Sequence, residues 1–143
     1  RKNIITTRDF LYYDELEYID REIDFDAYVV GSDQVFIPYY ASWFMGKFIH
    51  RKGVKMYAYA ASFGKGEWLL DSKETEETKL LASNFIAISV RERSAVDLCR
   101  NYWGIDAKHV LDPALLLDAE DYLKTITLKR ESNILFAYVL DES

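Results

Sequence analysis

The chain has 143 residues, 50% of them hydrophobic and 29% charged, enough for one ordinary packed domain and too apolar for intrinsic disorder. A net charge of -6 argues against general nucleic-acid binding, which needs a basic face, but allows a small anion held by one or two local cations. No run of 18 apolar residues is present to span a membrane, and the single cysteine, Cys99, excludes an intrachain disulfide and fits a reducing compartment.

Residues 1 to 13 are mixed, with Phe10-Leu11-Tyr12-Tyr13 as their apolar cluster. Leu16, Ile19 and Ile23 then recur at helical spacing, which predicts a short packing helix from Asp14 to Ile23 with Asp14 as N-cap. Next comes Ala27-Tyr28-Val29-Val30, a continuous apolar run that predicts a strand buried on both faces. It breaks at Gly31-Ser32-Asp33-Gln34. In open α/β sheets ligands bind beyond the carboxyl ends of the strands, so Asp33 and Gln34 stand where a site belongs. On position alone they either act there or cap the following element.

The segment Tyr39-Tyr40-Ala41-Ser42-Trp43-Phe44 is dense in rings, which suits either a core cluster or a stacking wall beside a ligand. Lys52-Gly53 predicts a turn into a second strand, Val54 to Ala61, ending in Ser62-Phe63-Gly64-Lys65-Gly66. That loop lacks the spacing of a phosphate-cradling P-loop, and Ser62 lacks the flanking glycines of a nucleophile elbow. A helix is expected from Asp71 or Ser72 through Leu81, with Asp71 and Glu74 spaced as a capping box. Glu74, Glu76 and Glu77 read as a solvated face, since no His or Cys accompanies them to hold a metal.

Phe85 to Val90 predicts the third strand, followed at once by Arg91-Glu92. Arg91 stands at a strand end before a helix, where it serves either as an anion ligand or as a structural ion-pair partner. The next helix carries Ala95, Val96, Leu98, Cys99, Tyr102 and Trp103 on one stripe, with Gly104 just past its end. Cys99 on that stripe reads as a buried, inert thiol. A short fourth strand, His109 to Leu111, ends in Asp112-Pro113. Neither His50 nor His109 has a nucleophile at catalytic spacing, so both read as structural or surface residues.

A helix from Asp118 and a charged connection through Ser132 precede a fresh apolar run, Ile134 to Leu140. The expected organisation is therefore a partial first domain over 1–118, a linker over 119–132, and the first strand of a second domain over 133–143. The start at Arg1 and the break soon after Leu140 lead us to expect a piece of a longer protein, with exposed edges able to drive self-association.

Strand starts near 27, 54, 85 and 109 recur at the spacing of βαβ units. The expected fold class is α/β, a Rossmann-like parallel sheet with flanking helices. Ser32-Asp33-Gln34, Ser62, Arg91-Glu92 and Asp112 would then converge on one edge.

Four stretches carry a resemblance. Asp26 to Phe36 (DAYVVGSDQVF), Tyr59 to Gly64 (YAASFG), Ser89 to Glu92 (SVRE) and Val110 to Leu117 (VLDPALLL) resemble, in order and spacing, the polysaccharide pyruvyl transferase family. The resemblance implies one half of a two-domain fold similar to GT-B glycosyltransferases, with the active site in the interdomain cleft. It implies transfer of pyruvate from phosphoenolpyruvate to hydroxyls of a saccharide acceptor as a ketal, in the making of a cell-surface glycan or its precursor. Phosphoenolpyruvate is the donor substrate and no cofactor is implied. The implied location is cytoplasmic or peripheral to a membrane.

Residue by residue, Arg91 matches the family's anion-binding arginine, and Asp33 matches the acid that orients or deprotonates the acceptor. Ser32, Gln34, Ser62, Glu92 and Asp112 are expected to contact substrate around them. The family's Arg-x-His pair, cast as phosphate ligand and general acid, does not occur in these 143 residues, which are therefore expected to be inactive alone. Two other readings are a GT-B-like glycosyltransferase using a nucleotide sugar, and a non-catalytic binding or scaffold domain.

Overall fold

A computed structural model describes residues 12–124. The chain divides into two compact units, residues 1–113 and 114–143. The first is built on a four-stranded sheet of β1 (Ala27–Val30), β2 (Lys55–Ala61), β3 (Phe85–Val90) and β4 (Lys108–His109). The order is β1-β2-β3-β4 and every pairing is parallel, so the expected α/β architecture is the one found. Between the strands run α1 (Leu16–Glu22, before β1), α2 (Ala41–Phe44), α3 (Ser72–Ala82) and α4 (Arg93–Leu98).

Local sequence explains most of these elements. The Asp71 side chain accepts the Glu74 N–H at 2.8 Å while Glu74 returns the bond to the Asp71 N–H at 3.1 Å, the reciprocal box that starts α3. Glu74 also accepts the Tyr39 N–H at 2.8 Å, and Glu77 pairs with Lys47 at 2.7 Å. Two of the three acids expected on a solvated face therefore tie the α2 region to α3. Gly104 closes the fourth helix with φ 72°, a conformation that favours glycine.

Four expectations need correction. The valine run is buried on one face only: Val30 is 8% exposed and Val29 67%. An apolar run reports composition, and composition does not say whether the second face of a sheet is covered. The first helix is entered from a 3-10 turn over Tyr13–Glu15, so its boundary residue is Glu15 rather than Asp14. The stripe predicted from Ala95 to Trp103 breaks because α4 widens into a π-turn over Cys99–Trp103. The wider turn keeps Cys99 and Trp103 buried but leaves Tyr102 at the surface, stacked on Trp68 at 4.1 Å. The fourth strand is only Lys108–His109, and Leu111 is exposed.

The core lies on the helix-covered face. Phe36, Phe63, Trp68 and Trp103 form a contiguous ring cluster with centroids 5.1–5.6 Å apart. The indole N–H of Trp103 donates to the buried Thr78 hydroxyl at 3.0 Å, which satisfies a polar atom that burial would otherwise penalise. The ring-dense segment 39–44 belongs only in part to this core. Ala41 is buried, whereas Tyr39 is 85% exposed and Tyr40 and Phe44 are exposed beside Tyr13. Cys99 is fully buried, and that burial pushes its thiol up to about 12, as an inert core residue requires.

The sheet register slips twice. Met56 pairs with Phe85 but Tyr57 with Ala87, which leaves Ile86 as an extra residue in β3 and accounts for its exposure. Ala58 pairs with Ile88 but Ala61 with Val90, so β2 gains one residue opposite Ser89. A single inserted residue reverses which face each later side chain meets. In β2 the core side chains accordingly switch from Met56 and Ala58 to Ala61 and Phe63.

The second unit is described from Ala114 to Lys124. It contains α5 (Ala119–Leu123), begun at Asp118 as expected, and the Tyr122 hydroxyl donates to the Ala114 carbonyl. Among the described residues no helix is long and apolar enough to cross a membrane. Phe10 and Leu11, the charged connection beyond Lys124 and the run Ile134 to Leu140 lie outside the described residues.

Candidate functional site

Four segments leave the carboxyl edge of the sheet, and hydrogen bonds knit them together. After β1 the chain makes a tight turn in which the Asp33 carboxylate accepts the Gln34 N–H at 2.7 Å and the Asp33 carbonyl accepts the Val35 N–H at 2.9 Å. No helix begins until Ala41, so Asp33 and Gln34 shape a turn rather than cap an element. The Asp33 carbonyl also takes the Ser62 N–H at 3.1 Å, and the Ser62 carbonyl takes the Phe36 N–H at 3.0 Å, which ties the first loop to the second. Both Asp33 and Gln34 are exposed.

Ser62 is fully buried. Its hydroxyl donates to Glu92 Oε1 at 2.8 Å and accepts the Gly64 N–H at 2.9 Å, so it bridges the second and third strand ends. Gly64 has φ 73°, and a Cβ there would stand 2.8 Å from Gln34 Oε1. The backbone favours glycine here, while a Cβ would need only the exposed end of the Gln34 side chain to shift.

Arg91 is the hub. Its Nε–H donates to Glu92 Oε1 at 3.0 Å, and its Nη1 donates to Asp112 Oδ2 at 2.8 Å and to the Ser32 carbonyl. Contacts to Asp112 first, then to Glu92, hold the guanidinium above its already high ordinary value. The cation is permanent. The Arg91 backbone carbonyl meets His109 Nε2 at 3.1 Å, and because a carbonyl only accepts, that nitrogen carries the proton. Among the described residues no group hydrogen-bonds to Nη2 of Arg91, so its two N–H groups remain to serve a ligand.

Ser32, Ser62, Arg91, Glu92 and Asp112 thus meet in one network, with Asp33 and Gln34 on its rim. Of the two roles left open for Arg91 the structure shows the ion pair, with Glu92 and Asp112, and among the described residues Nη2 makes no hydrogen bond. Glu92 Oε1 accepts from both Ser62 and Arg91, which makes it a brace between them. Its Oε2 is inaccessible and has no hydrogen-bond partner among the described residues. α4, which starts at Arg93, has Glu92 at its N-cap without a side-chain cap bond.

Among the described residues no group of three or more His, Cys, Asp or Glu side chains is arranged to hold a metal ion. The chemistry on offer is an anion contact from Arg91 and an exposed carboxylate at Asp33. Periodicity missed two residues that matter. Ser89 sits in the Ser-Val-Arg-Glu stretch and bonds the β2 backbone twice. Asp20, on the polar side of an amphipathic helix by spacing, is 1% exposed. Only the motif position hints at Ser89, and nothing in the local pattern marks Asp20.

Searches against curated proteins and against solved structures returned no match. The model of one family, Polysaccharide pyruvyl transferase, matches residues 1–142. The match spans essentially the whole chain, including all four strand-end segments that meet at Arg91, and the chain belongs to the polysaccharide pyruvyl transferase family.

Proposed function

We propose that this chain contributes the donor-binding half of a transferase that moves pyruvate from phosphoenolpyruvate onto a saccharide destined for a cell-surface polymer. The observation that carries the reading is Arg91, a fixed cation at the meeting point of four strand ends whose Nη2 is unengaged among the described residues. A small, multiply charged anion suits such a group, because charge-assisted bonds from a guanidinium are the strong ones. Glu92 and Asp112 then act as orienting arms. They fix the plane of the guanidinium before the anion arrives, and neither needs to move for Nη2 to donate.

In this reading one sugar hydroxyl adds at C2 of the enolpyruvyl group while the C2–O bond to phosphate breaks and phosphate leaves. A second hydroxyl adds to the same carbon, C3 gains a proton to become a methyl group, and the product is a ketal. Asp33 orients the attacking hydroxyl and accepts its proton. Protonation of C3 and of the departing phosphate falls to groups outside these residues, consistent with the missing Arg-x-His pair. We propose accordingly that the 143 residues do not turn over alone. They reside on the cytoplasmic side, and phosphoenolpyruvate acts as a substrate with no further cofactor.

Isothermal titration with phosphoenolpyruvate against a UDP-sugar tests the donor. Saturable binding of phosphoenolpyruvate alone supports the reading, and binding of the UDP-sugar alone overturns it in favour of glycosyl transfer. For Asp33, the Asp33→Asn variant of a chain that includes an Arg-x-His pair loses turnover more than donor affinity. Equal losses of both assign Asp33 to holding the loop.

A further inference from the structure

β2 ends in an unusual conformation. Ala60 has φ 54°, in the left-handed region that a residue with a Cβ rarely adopts, and it is completely buried. It lies within the one-residue insertion opposite Ser89. The Ser89 hydroxyl accepts the Ala60 N–H at 3.1 Å and donates to the Ala58 carbonyl at 3.0 Å, so one side chain closes both ends of the bulge. Strained backbone persists only where its surroundings hold it, and Ser89 is the group that does so.

The bulge decides what reaches the candidate site. In β2 before the insertion the core side chains fall on even positions, Met56 and Ala58. Continued without a slip, that alternation would send Ser62 into the core and Phe63 away from it. With the slip, Phe63 joins the ring cluster and Ser62 is delivered to Glu92 Oε1 at 2.8 Å. Glu92 in turn holds Arg91 Nε at 3.0 Å. A register change one strand away thus fixes the orientation of the anion-binding cation.

We propose that Ser89 is a positioning residue: its hydroxyl clips the β2 bulge that carries Ser62 to Glu92 and so aims Arg91. The clip is a property of the backbone and stands independently of the ligand. Its consequence for donor binding rests on the reading of Arg91 given above.

Amide hydrogen exchange tests the clip on the 143-residue chain, read at Ala60 and Ser62, with Lys55 at the start of β2 as the remote reference. In Ser89→Ala, exchange at Ala60 and Ser62 rises about tenfold or more relative to Lys55, the scale of one or two net hydrogen bonds lost. Ser89→Thr, which keeps the hydroxyl, restores the native ratio. Adding Ala60→Gly to Ser89→Ala shrinks the effect, because glycine takes positive φ without strain. Should Ser89→Ala not fold, the same glycine change restores folding.

A uniform rise at all three amides, no rise at Ala60, or no recovery in the threonine and glycine variants overturns the proposal. A phosphoenolpyruvate titration of Ser89→Ala, run alongside, separates the two readings. Selective exchange in a chain that binds no phosphoenolpyruvate keeps the clip and removes the donor assignment. Selective exchange with unchanged phosphoenolpyruvate affinity removes the claim that the clip aims Arg91.

Discussion

Two arginines stand at opposite edges of the same sheet, each between two carboxylates, and they differ in what is left over. Arg51, before β2, spends all three nitrogens. Its Nε and Nη2 donate to Asp20 Oδ1 at 3.4 and 3.2 Å, Nη1 donates to Asp24, and Nη2 also reaches the Ile23 and Phe25 carbonyls. Its main partner, Asp20, is 1% exposed and also accepts the Tyr28 hydroxyl at 2.8 Å. Arg91 spends Nε and Nη1 and, among the described residues, keeps Nη2, and its partners Glu92 and Asp112 are only half-buried.

A hollow of about 450 Å³ lies beside Arg51, lined in part by Asp24, Asp26, Lys52 and Lys55, and one of about 470 Å³ is lined by Arg93, Val96, Asp97, Ala107 and His109, so cavity size does not choose between the two edges. The donor count favours Arg91. The contrast also separates two uses of one motif. A buried carboxylate with a saturated guanidinium holds a helix to a sheet, while partly exposed carboxylates around an unsaturated guanidinium prepare it for a ligand.

Substitutions at the two arginines sharpen that contrast. The largest expected effect is on stability at the Arg51 edge. Arg51→Ala strands the buried Asp20 charge with only the Tyr28 hydroxyl, and a clear fall in the urea unfolding midpoint is expected, larger than that for Arg91→Ala or Gly64→Ala. Arg91→Ala leaves Glu92 and Asp112, both partly exposed and Glu92 still bonded to Ser62, and costs less than the Arg51 change. Its effect appears in binding instead, as a rise of at least about tenfold in the phosphoenolpyruvate dissociation constant by titration. A stability loss at Arg91 as large as that at Arg51, with affinity unchanged, would erase the distinction.

Smaller effects follow at each edge. Gly64→Ala forces a Cβ into positive φ and against the far end of the Gln34 side chain, with an expected cost of about 1 kcal/mol in the same unfolding assay. Partial burial, and then the neighbouring Asp20 carboxylate, push the Tyr28 phenol up to about 12. The folded protein holds that proton above the pH where the unfolded chain releases it, near 10. Folding therefore loses stability as pH rises from about 10 toward 12. Tyr28→Phe removes this part of the alkaline slope, as thermal melts across pH 9 to 11 would show. An unchanged slope would detach Tyr28 from the Arg51 cluster.

Much of this was legible in the sequence, and the exceptions have physical causes. The strand-end segments were readable because each apolar run stops abruptly at polar residues, and their convergence follows from parallel topology alone. The capping box at Asp71 and Glu74 and the terminating Gly104 are local devices, and both appear where spacing put them. The two register slips were not readable. Met56 to Ala61 is apolar throughout, so no polar and apolar alternation marks which residue faces no partner. Nor does spacing reveal that Ser62 is buried and gives its hydroxyl to Glu92. Asp20 was hidden because its partners lie 8 and 31 residues away, beyond any helical period.

The most direct test follows the two guanidinium Nε resonances by nitrogen-15 NMR while phosphoenolpyruvate is titrated into the labelled chain at low salt. The account predicts that the Arg91 resonance shifts and saturates while that of Arg51 stays fixed. A shift at Arg51 with Arg91 unmoved, or no shift at either under saturating ligand, would contradict it.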